Sequence, residues 1–354
     1  MKGLILSGGR GTRLRPLTHT SAKQLVPVAN KPVLFYAVES IVAAGIRDIG
    51  IVVGDTRMEV KAAVGDGSRF GARITYIEQD APRGLAHAVL ISEEFLRGEP
   101  FVMYLGDNLI ANGITSLVEE YRRIGCNSQI LLARVPNPSA FGVAELSDGR
   151  VVRLVEKPSN PRSDLALVGV YMFDDTVFEA VQAIRPSERN ELEITDAIQW
   201  LVDHGRSVHP HLVTGWWKDT GKVEDMLEAN RIILDTFTAR LPESLDEGSR
   251  VEGKVVLEEG VVLRGAVVRG PAVIGRNAVI ENAFVGPYTS IGAETRISNC
   301  EIENSIVWEQ CEIRDIPVRI ADSLIGKGVK IHRGQIRPRV HRFLVGDNSE
   351  IGIV

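Results

Sequence analysis

A chain of 354 residues exceeds what one hydrophobic core usually serves, so two domains are expected. Its 44% hydrophobic and 25% charged content is that of a soluble globular protein, and a net charge of −5 without any basic block argues against a nucleic-acid partner, whose binding rests on many Lys/Arg–phosphate contacts. No stretch approaches about 18 uninterrupted apolar residues and no basic, then apolar leader opens the chain; neither a membrane partner nor a signal peptide is expected, and a cytoplasmic location is. Cys126, Cys300 and Cys311 are scattered without metal-ligand spacing and read as reduced structural residues.

The first two-thirds of the chain alternate strand and helix patterns. A strand is predicted over 3–6 and a helix over 30–44, with Asn30 as its cap, Pro32 in its first turn and Gly45 as its stop. Further strands are predicted at 49–53, 73–77, 101–105, 130–135 and 166–173. Helices are predicted at 84–95, 114–124, 176–184, 194–204 and 223–237. This alternation implies an α/β domain over 1–240, a Rossmann-like, mostly parallel sheet covered on both faces, with ligands beyond the carboxyl ends of its strands.

Near Leu241 the texture changes. Val256, Val262, Val268, Ile274 and Ile280 recur every six residues, and Val285, Ile291 and Ile297 resume that spacing after one step of five. A fixed period of six is a hexapeptide repeat, in which each coil has three short faces and an aliphatic residue on each points inward. Residues 241–354 are therefore expected to form a left-handed parallel β-helix, regular over 255–300 and weakening toward 340. Residues 251–300 contain no histidine, which disfavours a histidine-dependent acyltransferase on the coil; His332 and His341 lie beyond the regular repeat.

The first strand runs straight into Ser7-Gly8-Gly9-Arg10-Gly11-Thr12-Arg13, and Lys23 follows inside Ser21-Ala22-Lys23-Gln24-Leu25. A glycine-rich turn lets backbone N–H groups approach phosphate oxygens, and Arg13 and Lys23 add two fixed positive charges. The pattern suits a nucleoside triphosphate. It is not a Walker A loop, because no Lys-Ser or Lys-Thr follows the glycines, nor a dinucleotide fingerprint, because position 14 is Leu.

At these residues the chain resembles the sugar-1-phosphate nucleotidyltransferases. The resemblance rests on Leu6-Ser7-Gly8-Gly9-x-Gly11-Thr12-Arg13-Leu14-x-Pro16, on Lys23-Gln24-Leu25-x-Pro27-Val28 and on Asn30-Lys31-Pro32, and it extends over roughly 1–235, with the tail of the family's long form. The Lys-Gln-Leu version is similar to members that join dTTP to glucose 1-phosphate; guanylyl-transferring members usually read Lys-Pro-Leu. The resemblance implies attack by the sugar phosphate on the α-phosphorus of the nucleotide, giving an NDP-sugar and pyrophosphate. The attacking phosphate is already ionised, so the demands are charge neutralisation and in-line positioning, met by a divalent cation and basic side chains.

Asp107, in Gly106-Asp107-Asn108, and Asp219, in Trp217-Lys218-Asp219-Thr220-Gly221, match the family's metal-binding aspartates, and Mg²⁺ is the expected cofactor. Either alone would read as a turn or cap residue. Leu6, Gly8, Gly9, Gly11, Thr12, Arg13, Lys23 and Asp107 are assigned to the nucleotide. Lys157 is assigned to the sugar phosphate and Glu156 to sugar hydroxyls, from Glu156-Lys157-Pro158. Gly142, Gly169 and Tyr171 flank the sugar by resemblance, and Trp217 packs there, in the core or in a lid. Gln79 and Gly84 match the base-reading segment, with His87 standing where that family often has Gln. A glutamine amide offers both the donor and the acceptor that thymine or uracil requires. Glu191-Leu192-Glu193-Ile194-Thr195-Asp196 reads as a structural wall, and His19, His204, His209 and His211 receive no role.

The expected partners are thus dTTP and glucose 1-phosphate, together with further copies of this chain through the coil. Two alternatives have other consequences. A UTP-using or GDP-mannose-type pyrophosphorylase would differ in nucleotide preference. A non-catalytic nucleotide-binding regulatory subunit would lack Arg13, Lys23, Asp107 or Asp219, and all four are present.

Overall fold

A computed structural model describes the chain apart from residues 10, 20–21, 242–245, 247 and 335–354. Arg10, Ser21 and His341 of the sequence reading lie outside the described residues. Two compact units emerge: Met1–Arg10, Ser21–Leu25 and Val33–Asp219 make the first, and Gly11–Thr20, Val26–Pro32 and Thr220–Val354 the second.

The first unit is built on a mixed, Rossmann-like sheet of nine strands. Strand Lys2–Ser7 is central; Asp48–Val53 and Phe101–Leu105 flank it in parallel, and Arg73–Glu78 extends the parallel part. Antiparallel pairing begins where Leu165–Phe173 lies against Phe101–Leu105. Beyond it come the hairpin Gly142–Ser147 and Arg150–Glu156, and strand Ser128–Arg134, which carries Val208–Leu212 in parallel. The central strand is apolar at every inner position because both its faces are covered: Leu4 and Ile5 are wholly buried. On one face Leu4, Phe101, Phe173 and Ile198 share a core, on the other Ile5, Leu34, Ile51 and Tyr104. Helix Val33–Ala43 packs so tightly that a Cβ on Gly3 would meet Ile41 Cγ2 at 2.9 Å. Lys2–Ser7, Arg73–Glu78 and Phe101–Leu105 run in one direction, so Gly8, Gln79 and Asp107 all follow strand ends on the same edge of the sheet.

Three sequence expectations shift. The first helix begins at Val33, not Asn30. Asn30 adopts a left-handed φ of 62° in the turn between strands Pro27–Val28 and Lys31–Pro32, and its amide donates to the Ile291 carbonyl at 2.7 Å. The helix expected over 84–95 is two short helices, Leu85–Leu90 and Glu93–Leu96. The hairpin Gly142–Ser147 with Arg150–Glu156, helix Arg57–Val64 and strand Val208–Leu212 carry weak apolar periodicity and were not anticipated.

The second unit contains the left-handed β-helix, three parallel sheets of short strands between Arg250 and His332. Val255 stacks on Ala272 and Ala272 on Thr289; Val262 stacks on Val279 and Val279 on Arg296. Val268, Ile274, Ile280, Val285, Ile291 and Ile297 fill its interior as expected. The first two positions are out of phase by one, because Leu257 and Leu263 point inward instead of Val256 and Val262. Val256 joins Val273, Leu234 and Ala29 in a small cluster outside the coil, against helix Val223–Asp235. Corners are turned by left-handed Asn282 and Asn299, and Asn282 Nδ2 donates to Asn299 Oδ1 at 2.9 Å, so stacked corners satisfy one another. All three cysteines are buried free thiols.

Coil stacking leaves no room at some glycines. A Cβ on Gly292 would lie 2.4 Å from the Trp308 carbonyl carbon and 2.5 Å from Glu309 N, both backbone atoms of the next coil. Gly292→Ala is expected to destabilise the protein by about 1–3 kcal/mol, read as a lowered midpoint in urea unfolding.

Candidate active site

Lys23 is a buried cation of the first unit, 7% exposed. Its Nζ donates to Asp107 Oδ2 at 2.6 Å and lies 3.7 Å from Asp219 Oδ1. Residues distant in sequence meet here for a local reason. Asp107 follows strand Phe101–Leu105, and Asn108–Ile110 then pairs antiparallel with Trp217–Asp219, placing Asp219 directly opposite Asn108. Facing residues in such a ladder have Cα atoms about 4.5–5.5 Å apart, so both carboxylates reach one ammonium group. Burial pushes the Asp107 carboxyl up; the Lys23 charge and hydrogen bond and the Asn108 amide outweigh it and hold the group below the usual carboxylate range.

Asn108, which the sequence did not single out, organises this corner. It is 2% exposed; its amide donates to Asp107 Oδ1 at 2.9 Å and its oxygen accepts from Trp217 Nε1 at 2.6 Å. Gly169 makes room for it, since a Cβ there would lie 2.8 Å from Asn108 Oδ1. Trp217 also meets Phe141 edge to face, ring centroids 5.4 Å apart, and the Phe141 carbonyl accepts the Lys157 backbone N–H at 3.0 Å. A continuous set of contacts thus joins the aspartates to the Glu156-Lys157 segment.

That segment forms a second polar cluster. Glu156 Oε2 accepts from Thr195 Oγ1 at 2.6 Å; Glu156 Oε1 accepts from Arg189 at 3.1 Å and lies 3.7 Å from Lys157 Nζ. Arg189 also binds Glu193, which accepts from Ser187 Oγ. Thr195 and Arg189 are further residues that sequence reasoning did not assign individually. Gly142 clears the pair, because a Cβ would stand 2.7 Å from Thr195 Oγ1 and 3.1 Å from Glu156 Oε2. Lys157 holds a left-handed φ of 42°, a conformation that costs a non-glycine residue about 1–3 kcal/mol and tends to persist where function over-determines it. Tyr171 is buried in the core, stacked on Phe173, with burial pushing its hydroxyl up.

A cavity of about 210 Å³ is lined by Asp107 together with Leu6, Gly8, Gly9, Gln24, Gln79, Pro82, Gly84 and Glu191. Gln79 Nε2 donates to the Gly84 carbonyl at 3.3 Å and to His87 Nδ1 at 3.0 Å, and a Cβ on Gly8 would lie 3.2 Å from Gln79 Oε1. Burial, then Arg83, pushes the His87 imidazole down against an opposing pull from Asp80, so it is neutral at pH 7 and Nδ1 is free to accept. Gln24 is 3% exposed and its Oε1 has no partner among the described residues, a buried acceptor on a cavity wall. A hollow of about 230 Å³ near Glu99, Asp174 and Asp175 lies before the strand Phe101–Leu105, with three carboxylates and no cation in its lining, which suits no anionic ligand.

Gly11, Thr12 and Arg13 belong to the second unit. Gly11, φ 61°, caps a short turn of helix over Thr12–Leu14, and its carbonyl accepts from Thr18 Oγ1 at 2.6 Å. Thr12 and Arg13 are exposed, and Gly221 leaves space for the guanidinium, since a Cβ there would meet Arg13 Nη2 at 2.9 Å.

Removing the Trp217 donor isolates the role of Asn108. Trp217→Phe keeps a ring against Phe141 and leaves the buried Asn108 oxygen without its donor, at a cost of about 1–3 kcal/mol in unfolding free energy. Equal stability of variant and parent in urea titration would remove Trp217 from the support of Asp107.

The chain is 53% identical over its whole length to glucose-1-phosphate thymidylyltransferase of Streptomyces griseus, covering 99% of that protein. It is 48% identical to the low-salt glycan biosynthesis nucleotidyltransferase Agl11 of Haloferax volcanii over 99% of both chains. A Bacillus anthracis crystal structure with bound sucrose, assigned as a glucose-1-phosphate thymidylyltransferase, superposes with a TM-score of 0.64 at 35% identity, over 68% of this chain and 98% of that one. The nucleotidyl transferase family matches residues 2–236, and the chain belongs to that family.

Proposed function

We propose that the chain transfers a thymidylyl group from dTTP to α-D-glucose 1-phosphate, releasing pyrophosphate and forming dTDP-glucose. The observation that carries the reading is the convergence of Asp107 and Asp219 on one cation, Lys23 Nζ, with Asp107 lining the same cavity as Gln79 and Gly84. The Streptomyces griseus relative is a glucose-1-phosphate thymidylyltransferase, which supports the same substrates.

In the reaction an oxygen of the sugar phosphate forms a bond to the α-phosphorus, and the bond from that phosphorus to the bridging oxygen breaks, its electron pair leaving with pyrophosphate. The protein's task is to hold two polyanions in line and offset their charge. Lys23 and, from its place in the glycine-rich motif, Arg13 serve the triphosphate, with Leu6, Gly8, Gly9, Gly11 and Thr12 giving close backbone approach. Gln79 and Gly84 meet the base, and Gln24 offers its buried oxygen to a nucleotide donor. Lys157 binds the sugar phosphate. Glu156, oriented by Thr195 and Arg189, accepts from sugar hydroxyls; Gly142, Gly169, Tyr171 and Trp217 shape that side.

Among the described residues no group of three or more His, Cys, Asp or Glu side chains forms a metal cage. Two hard carboxylate donors that already share a cation fit a divalent ion completed by phosphate and water. Asp107 and Asp219 would hold Mg²⁺, which when bound offsets charge on the α-phosphate and on pyrophosphate. Copies of the chain associate through the coil in this reading, as hexapeptide coils do by resemblance, so light scattering should give a multiple of 38.8 kDa.

Pyrophosphate release should require both substrates, vanish in EDTA and return with Mg²⁺. Asp107→Asn is expected to lower kcat by about 100-fold or more. Lys157→Met should raise KM for glucose 1-phosphate by about 10–100-fold with little change in KM for dTTP, the scale of one charge-assisted hydrogen bond. Only a methyl group separates thymine from uracil, so kcat/KM should favour dTTP over UTP by about fivefold. A preference for GTP and mannose 1-phosphate would replace this assignment.

A further inference from the structure

We propose that His87 is a specificity-determining positioning residue: with the Gly84 carbonyl it occupies both hydrogens of the Gln79 amide, so that Gln79 meets the nucleobase as an acceptor only. The inference rests on the reading of Gln79 as the base contact.

A free glutamine amide is ambiguous. It presents a donor on one side and an acceptor on the other, and rotating its last torsion by half a turn exchanges them. Such a group satisfies a base carrying a ring N–H and a base carrying a bare ring nitrogen about equally well. Here the ambiguity is removed. The Gly84 carbonyl, 3.3 Å away, can only accept, so the atom facing it is the NH2. The same nitrogen lies 3.0 Å from His87 Nδ1, an acceptor for its second hydrogen. His87 is buried on helix Leu85–Leu90, and burial pushes its imidazole toward the neutral form; because an amide NH2 can only donate, Nδ1 is the accepting nitrogen. Gln79 therefore keeps only Oε1 to offer, on the side where Gly8 also lines the cavity.

An acceptor at this position selects a base with a ring N–H, as thymine and uracil have at N3. It rejects cytosine, whose N3 is itself an acceptor and would face Oε1 lone pair to lone pair. A buried mismatch of this kind discriminates far more strongly than a missing methyl group, because polar groups are left unpaired. The pyrimidine choice is thus made one residue behind the residue that touches the base.

The test uses full-length protein and isothermal titration with dTDP and dCDP, which requires no turnover. Parent protein should bind dTDP at least tenfold more tightly than dCDP. His87→Leu and His87→Phe, which remove the acceptor but keep an apolar filler, should compress that ratio by tenfold or more. His87→Asn, which can return an oxygen close to the Nδ1 position, should restore it to within about threefold of the parent. Thermal unfolding identifies any variant that fails to fold; Leu and Phe then stand in for one another. An unchanged dTDP:dCDP ratio in a folded Leu or Phe variant would overturn the proposal. So would an Asn variant as unselective as they are, since bulk rather than the acceptor would then be at work. Absence of pyrophosphate release from dTTP and glucose 1-phosphate in the parent would count against the reaction and leave this binding comparison standing.

Discussion

Two carboxylates do not share a half-buried corner unaided. Loss of water raises the pKa of a carboxylate, and Asp107 stays charged because the Lys23 ammonium outweighs its burial. The same ammonium lies 3.7 Å from Asp219 Oδ1. The ammonium is buried yet paired, which is the condition under which a buried charge is tolerable at all. The rest of the site follows from maintaining that triplet. The short ladder between Asn108–Ile110 and Trp217–Asp219 brings the second aspartate into reach, Asn108 fixes the first, and Trp217 fixes Asn108.

The sheet supplies the directional part of the design. Parallel strands Lys2–Ser7, Arg73–Glu78 and Phe101–Leu105 end on one edge, and each hands on a different kind of chemistry: a glycine-rich turn, an amide on the cavity wall and a carboxylate. The antiparallel strands beyond Leu165–Phe173 add a second polar cluster, Glu156 with Thr195 and Arg189. Because strands in one sheet are about 4.8 Å apart, the strand ends from which these groups project are held at spacings fixed by backbone hydrogen bonds.

Much of this was legible in the sequence, and the exceptions have physical causes. Strand Phe101–Leu105 and the glycine-rich turn carry strong local signals, a fully apolar run and a backbone that needs no Cβ. The period of the coil was legible too, but its phase slipped at Val256 and Val262. A strand residue that packs outward against helix Val223–Asp235 is as apolar as one that packs inward, so hydrophobicity alone cannot tell them apart. Asn30 has cap chemistry, yet its amide is engaged by the Ile291 carbonyl, a partner with no trace in the local sequence. Asn108 was missed because nothing near it announces Trp217; the only signal was its place directly after Asp107 at a strand end.

Glycine is where local reading reaches its limit and tertiary structure takes over. Gly8, Gly142 and Gly169 look alike in sequence as small residues beside a ligand. In the structure each leaves unfilled the volume a Cβ would take, and a different polar side chain uses it: Gln79 Oε1, the Thr195–Glu156 pair and the Asn108 amide. None of the three has the positive φ that would make glycine a backbone requirement. Their constraint is steric: an added methyl would displace the polar side chain that uses the space. The site is therefore built from side chains laid across bare stretches of strand, and its geometry depends on those stretches staying bare.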